Sequence, residues 1–336
     1  MLIDIINVFS NQNFKIILYT GNVIETYAKL NDSVKIRKLI TYKKNNNFIR
    51  LLTWFTFFIQ SFFYLCFDSK KDVIIYYSSN PPIIYFLNLI FKSVSFIHVY
   101  DVYPNALLAH PLISKKSVIY KLYSYLNKKS FLKSKSLFTP SYGMREMLKE
   151  YCTSEKINVV SWWADTDFIS PIPKSKNIFL QKNNIPDQFI IMYSGNLGAT
   201  HNIEKLLNLA IELKESEDIK IIIIGDGSKK TLVDDFQQQN NLKNLLILPF
   251  QSVNMLPYSL TAPDISIVLD SFSSDKNDST ASIPSKLFYI MAAGTVVYAE
   301  ADKKSELNRI INKYDIGLCD ETKSIEKLKS FISACK

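Results

Sequence analysis

A hydroxyl beside an ammonium at the start of a helix can hold a charged oxygen ligand, and Pro284-Ser285-Lys286 has that form. Pro284 suits the first helical position, where its missing N–H costs nothing. Leu287, Ile290 and Met291 follow at helical spacing, which predicts one buried face before the helix stops at Gly294. Free N–H groups at such an end attract anions, so Pro284, Ser285 and Lys286 together outline a seat for a diphosphate. Lysine this close to a helix N-terminus is unfavourable unless something negative lies beside it. Taken alone, the tripeptide reads better as a solvated lysine on a buried helix, and the rest of the C-terminal half tips the balance.

Glycine placement adds a second element. Six of the eight glycines follow residue 190, and Gly195, Gly198, Gly225 and Gly227 stand directly after runs that read as strands. Phe189 to Ser194 runs into Gly195-Asn196-Leu197-Gly198, and Ile219 to Ile224 into Gly225-Asp226-Gly227-Ser228. Glycine there permits tight turns and close backbone approach to a phosphate. Asp226 is a candidate contact and also a turn residue capping the next helix. No GxGxxG or Walker pattern is present, so nicotinamide and P-loop chemistry are poorly supported.

A third candidate is Asp101, in Tyr100-Asp101-Val102-Tyr103-Pro104. It follows the predicted strand Val94 to Val99, and ligands of parallel sheets collect outside the carboxyl ends of strands. Turn formation ahead of Pro104 is the competing role. His98, His110 and His201 have no metal-ligand spacing, and Cys66, Cys152, Cys319 and Cys335 are scattered. No metal, zinc site or disulfide framework is expected, and a reducing cytosolic compartment fits best.

The elements that must position these residues fall into two groups. In the second half, Phe189 to Ser194, Ile219 to Ile224, Leu245 to Leu248, Ile265 to Leu269 and Val296 to Ala299 read as strands separated by helices. Repeated units of that length imply a parallel, doubly wound sheet. Glu300, Asp302 and Glu306 read as an exposed helix start.

The first half has strands near 14 to 20, 34 to 40, 72 to 78, 94 to 99, 136 to 140 and 157 to 161. Leu2 to Phe9 fits either strand or helix. Domains are placed at 1–170 and 189–336, with the proline-bearing stretch 171–188 as linker. A length of 336 residues accommodates two such domains.

Charge is unevenly placed. Residues 1 to 175 hold 22 Lys and Arg against 11 Asp and Glu, and the rest 18 against 20. The first half therefore faces something anionic, or carries a compositional lysine bias. Lys121, Lys128, Lys129, Lys133 and Lys135 interleave with Tyr120, Tyr123 and Tyr125 around a helix near 117 to 131. That pattern suits a membrane surface, single-stranded nucleic acid or plain solvent. Leu51 to Phe67 carries no charge but is short of the about 20 residues a spanning helix needs. It is read as a packed or membrane-touching helix.

Tyr193-Ser194-Gly195-Asn196-Leu197-Gly198, Gly225-Asp226-Gly227, Asp264-Ile265, Pro284-Ser285-Lys286 and Met291-Ala292-Ala293-Gly294, in that order, resemble family 4 retaining glycosyltransferases of the branch that builds bacterial surface polysaccharides. The similarity is firm from about 189 to 320; before that, Asp101-Val102-Tyr103-Pro104 and Ser141-Tyr142-Gly143-Met144 match best. The resemblance implies a GT-B fold, two Rossmann-like domains facing each other across a cleft. The second would hold a nucleoside diphosphate sugar, uridine-linked, and the first a lipid-linked or growing saccharide acceptor. Donor contacts would fall on Gly195, Asn196, Gly198, His201, Gly225, Asp226, Gly227, Pro284, Ser285, Lys286 and Tyr289. Lys286 would serve the leaving group, Asp101 the acceptor hydroxyl, and no cofactor or metal is implied. The basic first half would attach the protein to the inner face of the plasma membrane.

Three departures from the family pattern stand out. Asn196 and His201 occupy positions that commonly carry Arg and Lys, and His201 is cationic only in part near neutral pH. The paired acidic positions fall at Ala281 and Tyr289, of which Tyr289 offers a hydroxyl to the ribose. The expected first strand and its glycine loop are missing, so the first domain reads as incomplete or begun late. These departures leave two alternatives: a GT-B sugar-nucleotide epimerase, or a degenerate partner subunit of another transferase. Nucleic-acid binding finds no motif.

Overall fold

The computed structural model describes residues 1–336 except 24–27, 44–45, 70–71, 110–112, 199–200, 270–279 and 323. His110 thus lies outside the described residues. The chain divides between Ser161 and Trp162 into two units.

In the first unit, helix α1 (Leu2–Asn11) resolves the ambiguous start in favour of helix. Strands β1 (Ile17–Thr20) and β2 (Lys35–Lys38) form a parallel pair, and the long helix α2 spans Asn47–Asp68. The Asn46 side chain caps α2 by accepting from the Ile49 N–H at 2.8 Å. A separate parallel sheet orders β3 (Ile74–Ser78), β4 (Val94–His98), β5 (Ser136–Thr139) and β6 (Ile157–Val159) side by side. A short 3₁₀ helix at Ile84–Leu89 stands where a longer helix is expected from the pattern. Helices α3 (Val118–Lys133) and α4 (Tyr142–Leu148) follow, capped by Ser117 and Ser141.

The second unit begins earlier than the proline-rich composition suggests. Segment 171–188, expected as a linker, folds into it: α5 (Ile178–Lys182) buries Phe179 and Leu180 against Ile190, Met192, Ile222 and Ile224. Two well-placed apolar side chains outweigh the lack of periodicity, because burial of each stabilises by roughly 1.5–3 kcal/mol.

Five isoleucines in the six residues of β8 (Ile219–Ile224) make a strand fit only for a sheet covered on both faces. Its partner β7 (Phe189–Ser194) sends Ile191 and Tyr193 to one apolar layer and Ile190 and Met192 to the other. The first layer is closed by α6 (Glu204–Glu212), α7 (Lys230–Asn240) and the C-terminal helix Ile325–Cys335. Strands β9 (Leu245–Leu248), β10 (Ile265–Leu269), β11 (Val296–Glu300) and β12 (Gly317–Asp320) complete a parallel sheet ordered β12-β11-β10-β7-β8-β9. Short helix α8 (Leu256–Leu260), α9 (Lys286–Ala293), α10 (Glu306–Tyr314) and α11 (Ile325–Cys335) complete the helical layers.

The strand order reverses between β7 and β10, and parallel sheets bind ligands at the carboxyl ends of strands at such a switch. The turn after β7 and the N-terminus of α9 belong to this part of the unit.

Register brings the carboxyl end of β11 inward as well. Glu300 pairs with Leu269 on one side and Asp320 on the other. The expectation of an exposed helix start is therefore corrected: Glu300 is buried and ion-paired with Lys205 of α6, and Glu306 is buried and bonded to Arg309. Asp302 alone of the three is exposed.

Candidate functional site

Strands β7 and β8 run in register from Phe189↔Ile219 to Ser194↔Ile224, so both end at the same level. Each is followed at once by a glycine. The Gly195 N–H donates to the Ile224 carbonyl at 2.9 Å, and the Leu197 N–H to the Asp226 carbonyl at 2.8 Å. The two turns interlock so tightly that a Cβ on Gly225 would lie 2.0 Å from the Gly195 oxygen. Glycine is required there because two backbones occupy the space of one side chain.

Lys286 reaches this pair of turns from α9. Its ammonium lies 4.2 Å from the centre of the Tyr193 ring, within cation–π range. A Cβ on Gly195 would stand 3.2 Å from Nζ, so the bare glycine makes room for the lysine head. The Tyr193 hydroxyl donates to the Asn196 carbonyl at 2.7 Å, which ties the lysine's platform to the turn itself.

The start of α9 lies two residues later than the sequence expectation. Ser285 is the N-cap, Lys286 the first helical residue, and Pro284 precedes both, its carbonyl accepting from the Leu287 N–H at 3.0 Å. Ser285 is exposed and makes no side-chain capping bond.

His201 closes the other side of the turn. Its ring lies 6.4 Å from that of Tyr193, and its Nδ1 is buried without a hydrogen-bond partner among the described residues. Burial, then the positive charge of Lys286, lowers its pKa; the Gly198 backbone opposes this and Lys229 adds to it. Without an anion present, the neutral ring is therefore favoured. The exposed Asn196 places its side-chain amide between Gly198 and Gly227, each of whose Cβ positions would fall 2.8 Å from one of its atoms. Asp226 is a turn residue: its Oδ1 accepts from the Gly227 N–H at 2.7 Å, while Lys229 is the residue that starts α7.

Gly195, Asn196, Gly198, His201, Gly225, Asp226, Gly227 and Lys286 are thus gathered in one place. Tyr289 goes elsewhere, packing with Phe168 and Leu256 against Ile169, Leu260 and Ala293. Asp101 belongs to the first unit, exposed on the loop three residues beyond β4.

Two members escape the sequence reading. Tyr193 looks like a core strand residue, and only its pairing with Lys286 gives it a role. Lys229 donates to the His201 carbonyl at 2.7 Å and pairs with Glu204, pinning the glycine turn to α6. Its place two residues after Gly227 is the sole signal in the sequence. Among the described residues no cluster of three or more His, Cys, Asp or Glu side chains is arranged to hold a metal ion.

The glycine turns meet a lysine-headed helix at a switch point of the sheet, where parallel α/β folds take their ligands. Residues 175–334, within the second unit, match the family model of glycosyl transferases group 1. The chain is 28% identical over 236 residues to the probable glycosyltransferase WbjE of Pseudomonas aeruginosa, covering 68% of this chain and 55% of the relative. It is 31% identical over 147 residues to WcaI of Escherichia coli, a putative colanic acid biosynthesis glycosyl transferase, covering 43% and 35%. The chain thus spans about half, or less, of the length of these relatives.

Solved structures show the fold. WaaG, a glycosyltransferase involved in lipopolysaccharide biosynthesis, superposes with a TM-score of 0.69 at 15% identity over 99% of this chain and 85% of WaaG. HepE of Anabaena in complex with UDP-glucose gives 0.67 at 12% identity, covering 99% and 84%. The architecture is that of the GT-B glycosyltransferases.

Proposed function

We propose that this chain is a retaining glycosyltransferase. It moves a sugar from a uridine-linked nucleoside diphosphate sugar to a lipid-linked or growing saccharide acceptor in the synthesis of a bacterial surface polysaccharide. The observation that carries this reading is the delivery of Lys286 from α9 onto the Tyr193 ring, directly over the Gly195 turn. The UDP-glucose bound by HepE and the biosynthetic roles of WcaI and WaaG support the donor and pathway class.

Breaking the bond between the anomeric carbon and the diphosphate leaves negative charge on the departing oxygens. Preorganised donors aimed at that charge lower the barrier. Lys286 supplies the full charge, Ser285 a hydroxyl, and the first N–H groups of α9 their dipoles. An anion beside His201 favours its protonated form, because it offsets the charge of Lys286, which after burial is the second cause lowering its pKa. Asp101 orients or deprotonates the acceptor hydroxyl.

The acceptor side is placed at the inner membrane face through the basic first unit, an attachment that weakens with salt. Calorimetry with UDP-glucose and UDP tests the donor site. Lys286→Ala is expected to abolish binding; unchanged affinity removes Lys286 from the site and the reading with it.

A further inference from the structure

Helix α2 is the one helix among the described residues that is long and apolar enough to cross a membrane by length and composition. It does not stand free. Thr53, Trp54, Ser61 and Leu65 are buried on its inner side. Gln60 accepts from the Ile40 N–H at 2.8 Å, and Asp68 holds Arg37 and the Tyr19 hydroxyl, so the C-terminal half of α2 is bonded to the chain around β1 and β2. A spanning helix would turn these polar groups toward lipid, where unsatisfied polar groups are costly.

The outer side is the reverse. Phe48, Leu51, Leu52, Phe55, Phe63 and Phe67 are all exposed, between 53% and 78% of their surface. Their spacing places them in one stripe along the helix, with no charged residue from 51 to 67. Exposed apolar patches of this extent mark an interaction surface.

The occupant is indicated by the neighbouring helix. Trp54 of α2 meets Tyr103, and Tyr103 meets Tyr123 of α3; Phe62 of α2 meets Phe91, whose carbonyl accepts from Lys133 of α3. Helices α2 and α3 thus flank the same short 3₁₀ segment. The outer side of α3 is also apolar, with Val118, Ile119 and Leu122 exposed, and it carries Lys121, Lys128 and Lys129. No acidic residue occurs in α3, and the single one in α2, Asp68, is held by Arg37. A second copy of this face would set lysines against lysines. An anionic bilayer offers both an apolar interior and negative headgroups.

We infer that α2 lies in the membrane plane with its outer stripe buried at the boundary of headgroups and acyl chains, while the lysines of α3 meet anionic lipid. This deepens the membrane attachment proposed above and rests on it. It adds that apolar insertion, besides charge, holds the protein there.

The test is co-sedimentation with vesicles of phosphatidylcholine containing phosphatidylglycerol, for the whole chain, the triple variant Phe55→Gln/Phe63→Gln/Phe67→Gln and the variant Lys121→Gln/Lys128→Gln/Lys129→Gln. These side chains are exposed, so melting temperature and UDP-glucose affinity without lipid should match the parent protein. The parent protein should retain part of its binding at about 1 M salt, where the screening length falls to about 3 Å. The phenylalanine variant should bind at least tenfold more weakly, on the order expected from withholding apolar area. The lysine variant should lose mainly the salt-sensitive part. If the phenylalanine variant binds like the parent and salt removes all binding, insertion is overturned and the charge-driven attachment stands. No binding to these vesicles at any salt overturns both. If the parent is a dimer without lipid and the phenylalanine variant a monomer, the stripe is a subunit interface and the inference fails.

Discussion

The Lys286 ammonium sits 4.2 Å over the Tyr193 ring, joining the first residue of a late helix to the last turn of the central strand. A cation held against a ring face is kept desolvated and aimed, and this one is aimed at a turn whose leading residue has no side chain.

Removing the platform should therefore weaken donor binding without touching the charge. Tyr193→Leu is expected to lower UDP-glucose affinity by several-fold to about tenfold, the range of a partly desolvated cation–π contact. Tyr193→Phe keeps the ring and loses only the bond to the Asn196 carbonyl, so its loss should be smaller. Calorimetry on both variants gives the comparison.

Gly225→Ala places a methyl 2.0 Å from the Gly195 oxygen, where only backbone movement can relieve the clash. We expect a drop in melting temperature together with loss of UDP-glucose affinity, because the two glycine turns must part. Thermal melts with and without the nucleotide sugar read both effects.

The pKa of His201 lies below its ordinary value in the free protein, through burial first and then the charge of Lys286. A bound diphosphate opposes the charge of Lys286 and so raises that pKa, which makes proton and donor favour each other. Affinity for UDP-glucose, whose diphosphate does not titrate near neutrality, is expected to rise as pH falls through the His201 pKa of the complex. It should level off below the pKa of the free protein. His201→Asn should flatten the curve, as measured by titration calorimetry across that range.

The buried pair Lys205–Glu300 secures α6 to the end of β11, and Glu300 Oε2 has no other partner among the described residues. Lys205→Met strands a buried carboxylate and should cost about 3–5 kcal/mol of stability. Lys205→Met combined with Glu300→Leu should recover much of that loss. Denaturant unfolding of the two variants distinguishes an ion pair needed for stability from a tolerated one.

Asp101 is assigned to the acceptor step, so Asp101→Asn should lower turnover by roughly 100-fold or more, the lower range for a lost general base. Donor affinity should remain as in the parent protein. A normal rate in a transfer assay with a polyprenyl-linked acceptor would retire Asp101 from the mechanism.

Much of this molecule can be read from local chemistry. Isoleucine-rich runs closed by glycine specify β7 and β8 and the turns after them, because strand burial on both faces and glycine's access to tight turns are properties of a few consecutive residues. The strand Gly317–Asp320 escapes such reading, since Gly317, Leu318 and Cys319 carry too little apolar pattern; it exists because β11 offers it an edge. Segment 171–188 looks like a linker until Phe179 and Leu180 find a layer to fill. Glu300 looks solvated until register draws it beneath Lys205.

The sequence by itself determined the alternating parallel architecture, the two glycine turns and the lysine at a helix start. Tertiary structure alone decided that these three belong to one site, that Tyr193 is the lysine's platform, and that Tyr289 goes to a different cluster. The reason is physical. Strand and turn propensities act over neighbouring residues, whereas the meeting of Lys286 with Gly195 depends on strand order and register, which are settled only when the whole sheet is assembled.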